Sequence, residues 1–294
     1  MSISYLKSLL FRNSPTDAPS EPWLVPEKDT TEVLTLPDGR KLGYSQYGLS
    51  TGKPIFYCHG LPGSRVEAGH LHEAALETGA RIIATDRPGM GLSTFQTGRT
   101  LLDHPKDLEH LASHLKINEY GVMGVSGGGP YALACARAMP RDKLKAVAIV
   151  CGIGPPDIGM SGAGWFHWLG FTYGWRYGPR VAGWYFHREG QYNLPDEQRL
   201  ELRLQEAEKK KATFPRQELG LWSDREIVTR MVMTGRQYYR QGIDGHDTFV
   251  PPNHGVQIAK RLGDHAHLRL EDDTHASIFF RWRKEVLADL VKHI

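Results

Sequence analysis

Four short apolar runs, each followed by a segment of helix length or a change of composition, set the main constraint on this chain. They are Pro54–Cys58, Arg81–Thr85, Tyr120–Val125 and Leu144–Val150. Runs this short, apolar at nearly every position, read as strands covered on both faces. The segments between them, from about Arg65 to Thr78, Leu102 to Leu115 and Pro130 to Met139, have helical character. Strand and helix in alternation call for right-handed crossovers and a mostly parallel sheet. Ahead of them, residues 32–48 alternate apolar and polar around Pro37-Asp38-Gly39-Arg40, the pattern of a hairpin.

After Val150 the composition changes. Residues 156–187 hold four of the seven tryptophans, with Phe166, Phe171, Tyr173, Tyr177, Tyr185 and Phe186 among glycines. A charged stretch from Pro195 to Lys211 follows and reads as a solvated helix, then a further helical stretch from Asp224 to Tyr239. This block has no strand pattern and reads as a helical insertion. The α/β rhythm then resumes, with a helix at Pro251–Leu262, a strand at His265–Leu270 and a closing helix at Ala276–Val291. The expected organisation is an N-terminal extension over 1–29, a core over 30–155, a helical cap over 156–240 and a second part of the core over 241–294.

Composition narrows the function classes. With 40% hydrophobic and 23% charged residues in 294, a packed core of ordinary kind is expected. The net charge of +3 is small, and Lys209, Lys210 and Lys211 form the only basic triple, so nucleic-acid binding is not expected. No apolar stretch reaches the ~18 residues of a membrane-spanning helix. Cys58, Cys135 and Cys151 are odd in number and sit in apolar runs, which reads as buried free thiols in a reducing compartment. The expected location is therefore cytoplasmic. The Ser-rich start, with Lys7 and Arg12 and no acid before Asp17, keeps organelle targeting as the lesser alternative.

The chemistry centres on Gly124-Val125-Ser126-Gly127-Gly128, a G-x-S-x-G pattern directly after a strand and before a helix. A sharp strand-to-helix turn strains the central residue and lifts its hydroxyl above the sheet, and small neighbours let the turn pack. Ser126 is the expected nucleophile. Acyl transfer also needs two N–H donors for the developing oxyanion. Gly127 is one candidate. The other is Leu61, in His59-Gly60-Leu61-Pro62-Gly63 after the first parallel strand, because Pro62 has no N–H. A neutral imidazole must take the serine proton. His275, after the last expected strand and before the final helix, is the candidate among 14 histidines. The acid that orients it is expected to be Asp247, in His246-Asp247-Thr248-Phe249-Val250-Pro251, with Asp157 as a rival. The His70/His72 and His265/His267 pairs lack a carboxylate or cysteine cluster and are not read as metal ligands.

Together these segments resemble the α/β-hydrolase superfamily, in its esterase/epoxide-hydrolase-like branch with a serine nucleophile. The resemblance rests on His59 to Ser64, Asp86-Arg87-Pro88-Gly89-Met90-Gly91-Leu92-Ser93, the elbow at Ser126, Asp247 with Val250-Pro251, and His275. It implies an eight-stranded sheet, a cap over the pocket and a Ser–His–Asp triad without a cofactor. It also implies a mainly structural role for Asp86–Ser93. Such enzymes carry Asp at the elbow when they open epoxides or remove halogen, and Ser126 argues against both activities. One departure stands out: where the family places an apolar strand before the acid loop, Gln237 to Gly245 shows no strand run, so one interior strand is missing from the pattern.

The aromatic block suggests a small apolar or aromatic substrate, or else only the cap's own core. Carboxylic ester hydrolysis is the expected reaction. Carbon–carbon bond hydrolysis or lyase chemistry with the same triad remains open, as does a catalytically impaired binding or scaffold protein.

Overall fold

The computed structural model describes residues 30–61, 63–154, 156–160, 168–169, 172–173, 194–210, 221, 224–225, 227–229, 231–232, 253–271 and 275–294. Six strands among them form one sheet: β1 (Thr30–Thr35), β2 (Lys41–Gly48), β3 (Lys53–Cys58), β4 (Ala80–Thr85), β5 (Tyr120–Val125) and β6 (Leu144–Val150). Their order is β1-β2-β4-β3-β5-β6. The expected hairpin is present, with Thr35 opposite Lys41 and Gly39 at φ +83 in its turn. β2 also runs antiparallel to β4, and from β4 through β3 and β5 to β6 every pairing is parallel.

Helix α1 (His72–Thr78), entered through a 3-10 segment over Arg65–Leu71, leads from β3 to β4. Helix α2 (His104–His114) leads to β5, and α3 (Gly129–Ala138) to β6. Then come α4 (Asp196–Lys210), α5 (Asn253–Leu262) and α6 (His275–His293).

The apolar runs have no polar side because neighbouring residues serve opposite cores. Ile55 and Tyr57 of β3, Ile82 and Ala84 of β4, and Met123 and Val125 of β5 share one cluster with Leu71 and with Phe279, Leu287 and Leu290 of α6. Phe56, Cys58, Ile83, Tyr120 and Val122 face the other way and join Leu108 and Leu111 of α2 and Ala132 and Cys135 of α3. Period-two alternation thus feeds two interiors at once. Burying a side chain such as Ile55 or Phe56 contributes about 1.5–3 kcal/mol.

Three expectations need correction. The stretch His265–Leu270 is not a strand: Gly263–His265 is a 3-10 turn, and 266–270 join no ladder. Ala266 is extended (φ −125, ψ 133), yet Leu270 is 63% exposed. A strand requires a hydrogen-bonded neighbour, and none of the described residues supplies one beyond β6; Gln237 to Gly245 lies outside the described residues. Of the eight strands that the resemblance implies, six lie among the described residues. The charged helix α4 is not solvated all round, because Leu200 packs with Val228 and Val232 while Asp196 and Arg199 are buried as a pair at 3.2 Å. Cys58 and Cys135 are buried as expected, but Cys151 is partly exposed.

Most of the expected cap over 156–240 and the helical stretch to Tyr239 lie outside the described residues. Among the described residues no helix is long and apolar enough to cross a membrane.

Candidate active site

The topology fixes where a site can form. The chain steps from β3 to β4 on one side, then returns to lay β5 on the other side of β3. Loops leaving the carboxyl ends of β3 and β5 therefore diverge around a crevice, the usual ligand position in a parallel sheet. Cys58 pairs with Gly124 in the register of β3 and β5, so the loop starting at His59 and the turn at Ser126 emerge side by side.

Ser126 has φ +51, in the left-handed region that costs a non-glycine residue energy. It sits between Val125, still extended at φ −111 and ψ 134, and the 3-10 turn that opens α3. The flanking glycines make this possible. A Cβ at Gly124 would stand 2.5 Å from the Gly128 carbonyl oxygen and 2.7 Å from the Ala132 Cβ. One at Gly128 would overlap the Cys58 carbonyl. Ser126 is 8% exposed, at the N-terminal end of α3, where the helix dipole favours negative charge.

The loop after β3 reaches this turn. A Cβ at Gly60 would lie 3.5 Å from the Ser126 Cβ. Gly60 N–H donates to Glu67 Oε1 at 2.9 Å, and Tyr57 OH donates to the same oxygen at 2.5 Å. Burial raises the Glu67 carboxyl above its ordinary range, with the two hydrogen bonds opposing. His59 is fully buried and held far below the ordinary imidazole range, first by burial and then by the Arg87 charge. Its Nδ1 lies 2.9 Å from Gly60 O and 3.1 Å from Arg87 Nη2, and its Nε2 lies 3.4 Å from the Arg87 backbone N. With both nitrogens engaged inside the loop, His59 has no nitrogen left to serve Ser126 as a base.

Both candidate oxyanion donors belong to peptides tied from behind. The Ser126–Gly127 peptide carries the Gly127 N–H, and its carbonyl accepts from Ile153 N–H at 3.1 Å and from Gly129 N–H. The Gly60–Leu61 peptide carries the Leu61 N–H, and its carbonyl accepts from Arg87 Nη2 at 2.6 Å, with His59 Nδ1 2.9 Å away. A trans peptide is planar with N–H opposed to C=O, so a held carbonyl aims its amide to the other side.

The turn carrying Ser126 and Gly127 thus lies beside Gly60, the residue before Leu61. His275 is the first residue of α6; its side chain, and all of Asp247, lie outside the described residues. One turn further on, Phe279 joins the cluster containing Val125 and Val150, the last residues of β5 and β6. The rival acid Asp157 accepts from Arg261 Nη2 at 2.6 Å and Nη1 at 3.2 Å on the surface. His72 Nδ1 accepts from Gly48 N–H at 3.2 Å, and His70 packs edge-on against Phe280. Among the described residues no group of three His, Cys, Asp or Glu could hold a metal ion.

Sequence reasoning did not single out Arg87, Glu67 or His254. Arg87 lay within a segment read as structural. Glu67 and His254 carry no local signal, since their partners lie across a loop or far along the chain.

Residues 53–281 match the alpha/beta hydrolase fold family, and the chain belongs to it. It is 33% identical over 114 residues to an uncharacterised hydrolase of Bacillus subtilis, covering 39% of each chain. It is 34% identical over 120 residues to a proline iminopeptidase of Xylella fastidiosa, covering 39% of this chain and 37% of that one. A non-heme chloroperoxidase of Streptomyces lividans is 33% identical over 119 residues, covering 40% of this chain and 43% of that one. The matched portion thus spans about two-fifths of these relatives. Among solved structures, an alpha/beta hydrolase fold protein from Nakamurella multipartita superposes with a TM-score of 0.55 at 17% identity, over 89% of this chain and 99% of that one. An esterase from Exiguobacterium antarcticum superposes at 0.52 and 15% identity, over 90% and 100%. At these identities the likeness is one of fold.

Proposed function

We propose that this chain is a serine hydrolase that transfers an acyl group through Ser126. The observation that carries the reading is the left-handed Ser126 at the head of α3, beside the loop that presents Leu61. Ser126 Oγ attacks the substrate carbonyl carbon while its proton passes to His275, which Asp247 orients. The tetrahedral oxyanion accepts from Leu61 and Gly127 N–H. Collapse breaks the bond to the leaving group, which departs with the proton from His275. Water, deprotonated by the same imidazole, then cleaves the acyl-enzyme and frees the acid and Ser126.

The favoured substrate is a carboxylic ester, or related carbonyl compound, of a small apolar or aromatic molecule. The aromatic block of residues 156–240 would form the cap over it. The proline iminopeptidases among the relatives add amides to the substrates worth testing.

A chromogenic short-chain ester assay on the chain and on Ser126→Ala tests this. The serine variant should lose about 10³-fold or more in kcat, as loss of a triad nucleophile does. Equal rates from the two proteins would reject the enzyme and favour a binding or scaffold role.

A further inference from the structure

We infer that Arg87 is a positioning residue for the oxyanion site, spanning the loop after β3 and the nucleophile turn and fixing the plane of the Gly60–Leu61 peptide. The inference rests on the hydrolase reading above and goes beyond it, since Arg87 touches no reacting atom in that scheme.

Arg87 follows β4, the strand on the far side of β3 from β5. Its side chain is 2% exposed. Nη2 donates to Gly60 O at 2.6 Å, and Nη1 donates to Gly127 O at 2.9 Å. The guanidinium also lies over the Tyr131 ring, 4.8 Å from its centroid. Among the described residues its partners are carbonyl oxygens, a histidine and an aromatic face rather than an ion-paired carboxylate.

Burying a guanidinium is costly, so the two carbonyls it joins are informative. Each belongs to a residue of one of the loops that form the candidate oxyanion site. The planar fork has two donors at a fixed spacing, so it sets the distance between those loops as well as the tilt of each carbonyl. Because the Gly60 carbonyl points at Arg87, the Leu61 N–H points away from it. Glu67 holds the Gly60 N–H while Arg87 holds the Gly60 carbonyl, so Gly60 is restrained through both of its peptides. The Gly127 peptide has its own restraint from Ile153 and Gly129, independent of Arg87. Arg87 therefore governs the Leu61 donor more than the Gly127 donor.

The test is the rate at which an alkyl fluorophosphonate labels Ser126. The serine oxygen bonds to phosphorus, fluoride leaves, and the phosphonyl oxygen occupies the oxyanion site. Wild type, Ser126→Ala, Arg87→Met and Arg87→Lys are compared below their melting temperatures. Arg40→Met serves as a destabilised control, since it breaks the Arg40–Asp107 pair away from the site. Loss of one aimed donor should slow kinact about 10²-fold in Arg87→Met, with KI unchanged. Arg87→Lys, with a single head group, should recover only part of the rate, and Arg40→Met should label at the wild-type rate. If Arg87→Met does not fold, the loss in Arg87→Lys is the readout, and a wild-type kinact in that variant overturns the inference. A wild-type rate in folded Arg87→Met overturns it too, as does a loss confined to KI. A wild-type chain that does not label at all overturns the hydrolase reading, and this inference with it.

Discussion

Removing the Asp86 carboxylate should be among the most damaging single changes in the core. Asp86 is fully buried at the end of β4 and accepts three hydrogen bonds: from Arg65 N–H at 2.8 Å, Arg65 Nη1 at 2.6 Å and Leu92 N–H at 2.9 Å. Arg65 is itself only 5% exposed. Two glycines press on the carboxylate: a Cβ at Gly43 would stand 2.8 Å from Oδ2, and one at Gly91 would overlap the group. Asp86→Ala therefore removes the carboxylate paired with a buried guanidinium and strips two backbone donors of their acceptor. Breaking one half of a buried pair costs about 3–5 kcal/mol. For a chain this size that corresponds to a fall of roughly 6–20 °C in Tm. Asp86→Asn keeps the shape and one acceptor oxygen and should cost less, about 1.5–3 kcal/mol. The double variant Arg65→Met/Asp86→Ala should cost less than the two single changes added together, because neither charge then remains uncompensated. Urea unfolding of the four proteins measures the cycle. A cost below about 1 kcal/mol for Asp86→Ala, or simple additivity in the double variant, would refute the argument.

Two further outcomes follow from the geometry. Ser126→Gly should be more stable than Ser126→Ala by a few tenths to about 1 kcal/mol, since both lack the hydroxyl and only glycine relieves φ +51; thermal melts of the two inactive proteins compare them, and a more stable alanine variant would contradict the strain. Burial holds the His254 imidazole below its ordinary value of 6.5, so its contribution to stability is complete above pH 6.5 and is lost as pH falls through the lowered folded value. Unfolding free energies measured between pH 7 and 5 should therefore fall less steeply in His254→Gln than in wild type, and parallel slopes would remove His254 from the account.

Much of the fold was legible because it is written locally. The runs ending at Cys58, Thr85, Val125 and Val150 carry their strand character in every residue, and two-sided burial explains why they do not alternate in polarity. Gly124 and Gly128 announce the turn around Ser126, since no larger residue fits beside either. The failures share a cause. His265–Leu270 has the composition of a strand, but pairing depends on a neighbour the segment cannot specify alone. Arg87 and Glu67 acquire their roles only when the loops after β3, β4 and β5 converge. That the loop after β3 and the turn at Ser126 emerge together was readable; the orientation of their peptides was not, because it is set by carbonyl partners on other elements.

His254 joins parts of the chain that lie far apart in sequence. Its Nδ1 accepts from Gly154 N–H at 2.7 Å, its Nε2 donates to Gly159 O at 2.9 Å, and about two turns further along the same helix Arg261 grips Asp157. Residues 154–159 and 254–261 are thus stitched together, and whatever chain runs between them leaves and re-enters at a closed base. Once such a base is closed, doubling the length of the intervening stretch adds only about 0.6 kcal/mol of closure entropy. Lineages with this stitch could lengthen, shorten or rewrite the intervening segment while the sheet underneath stayed the same.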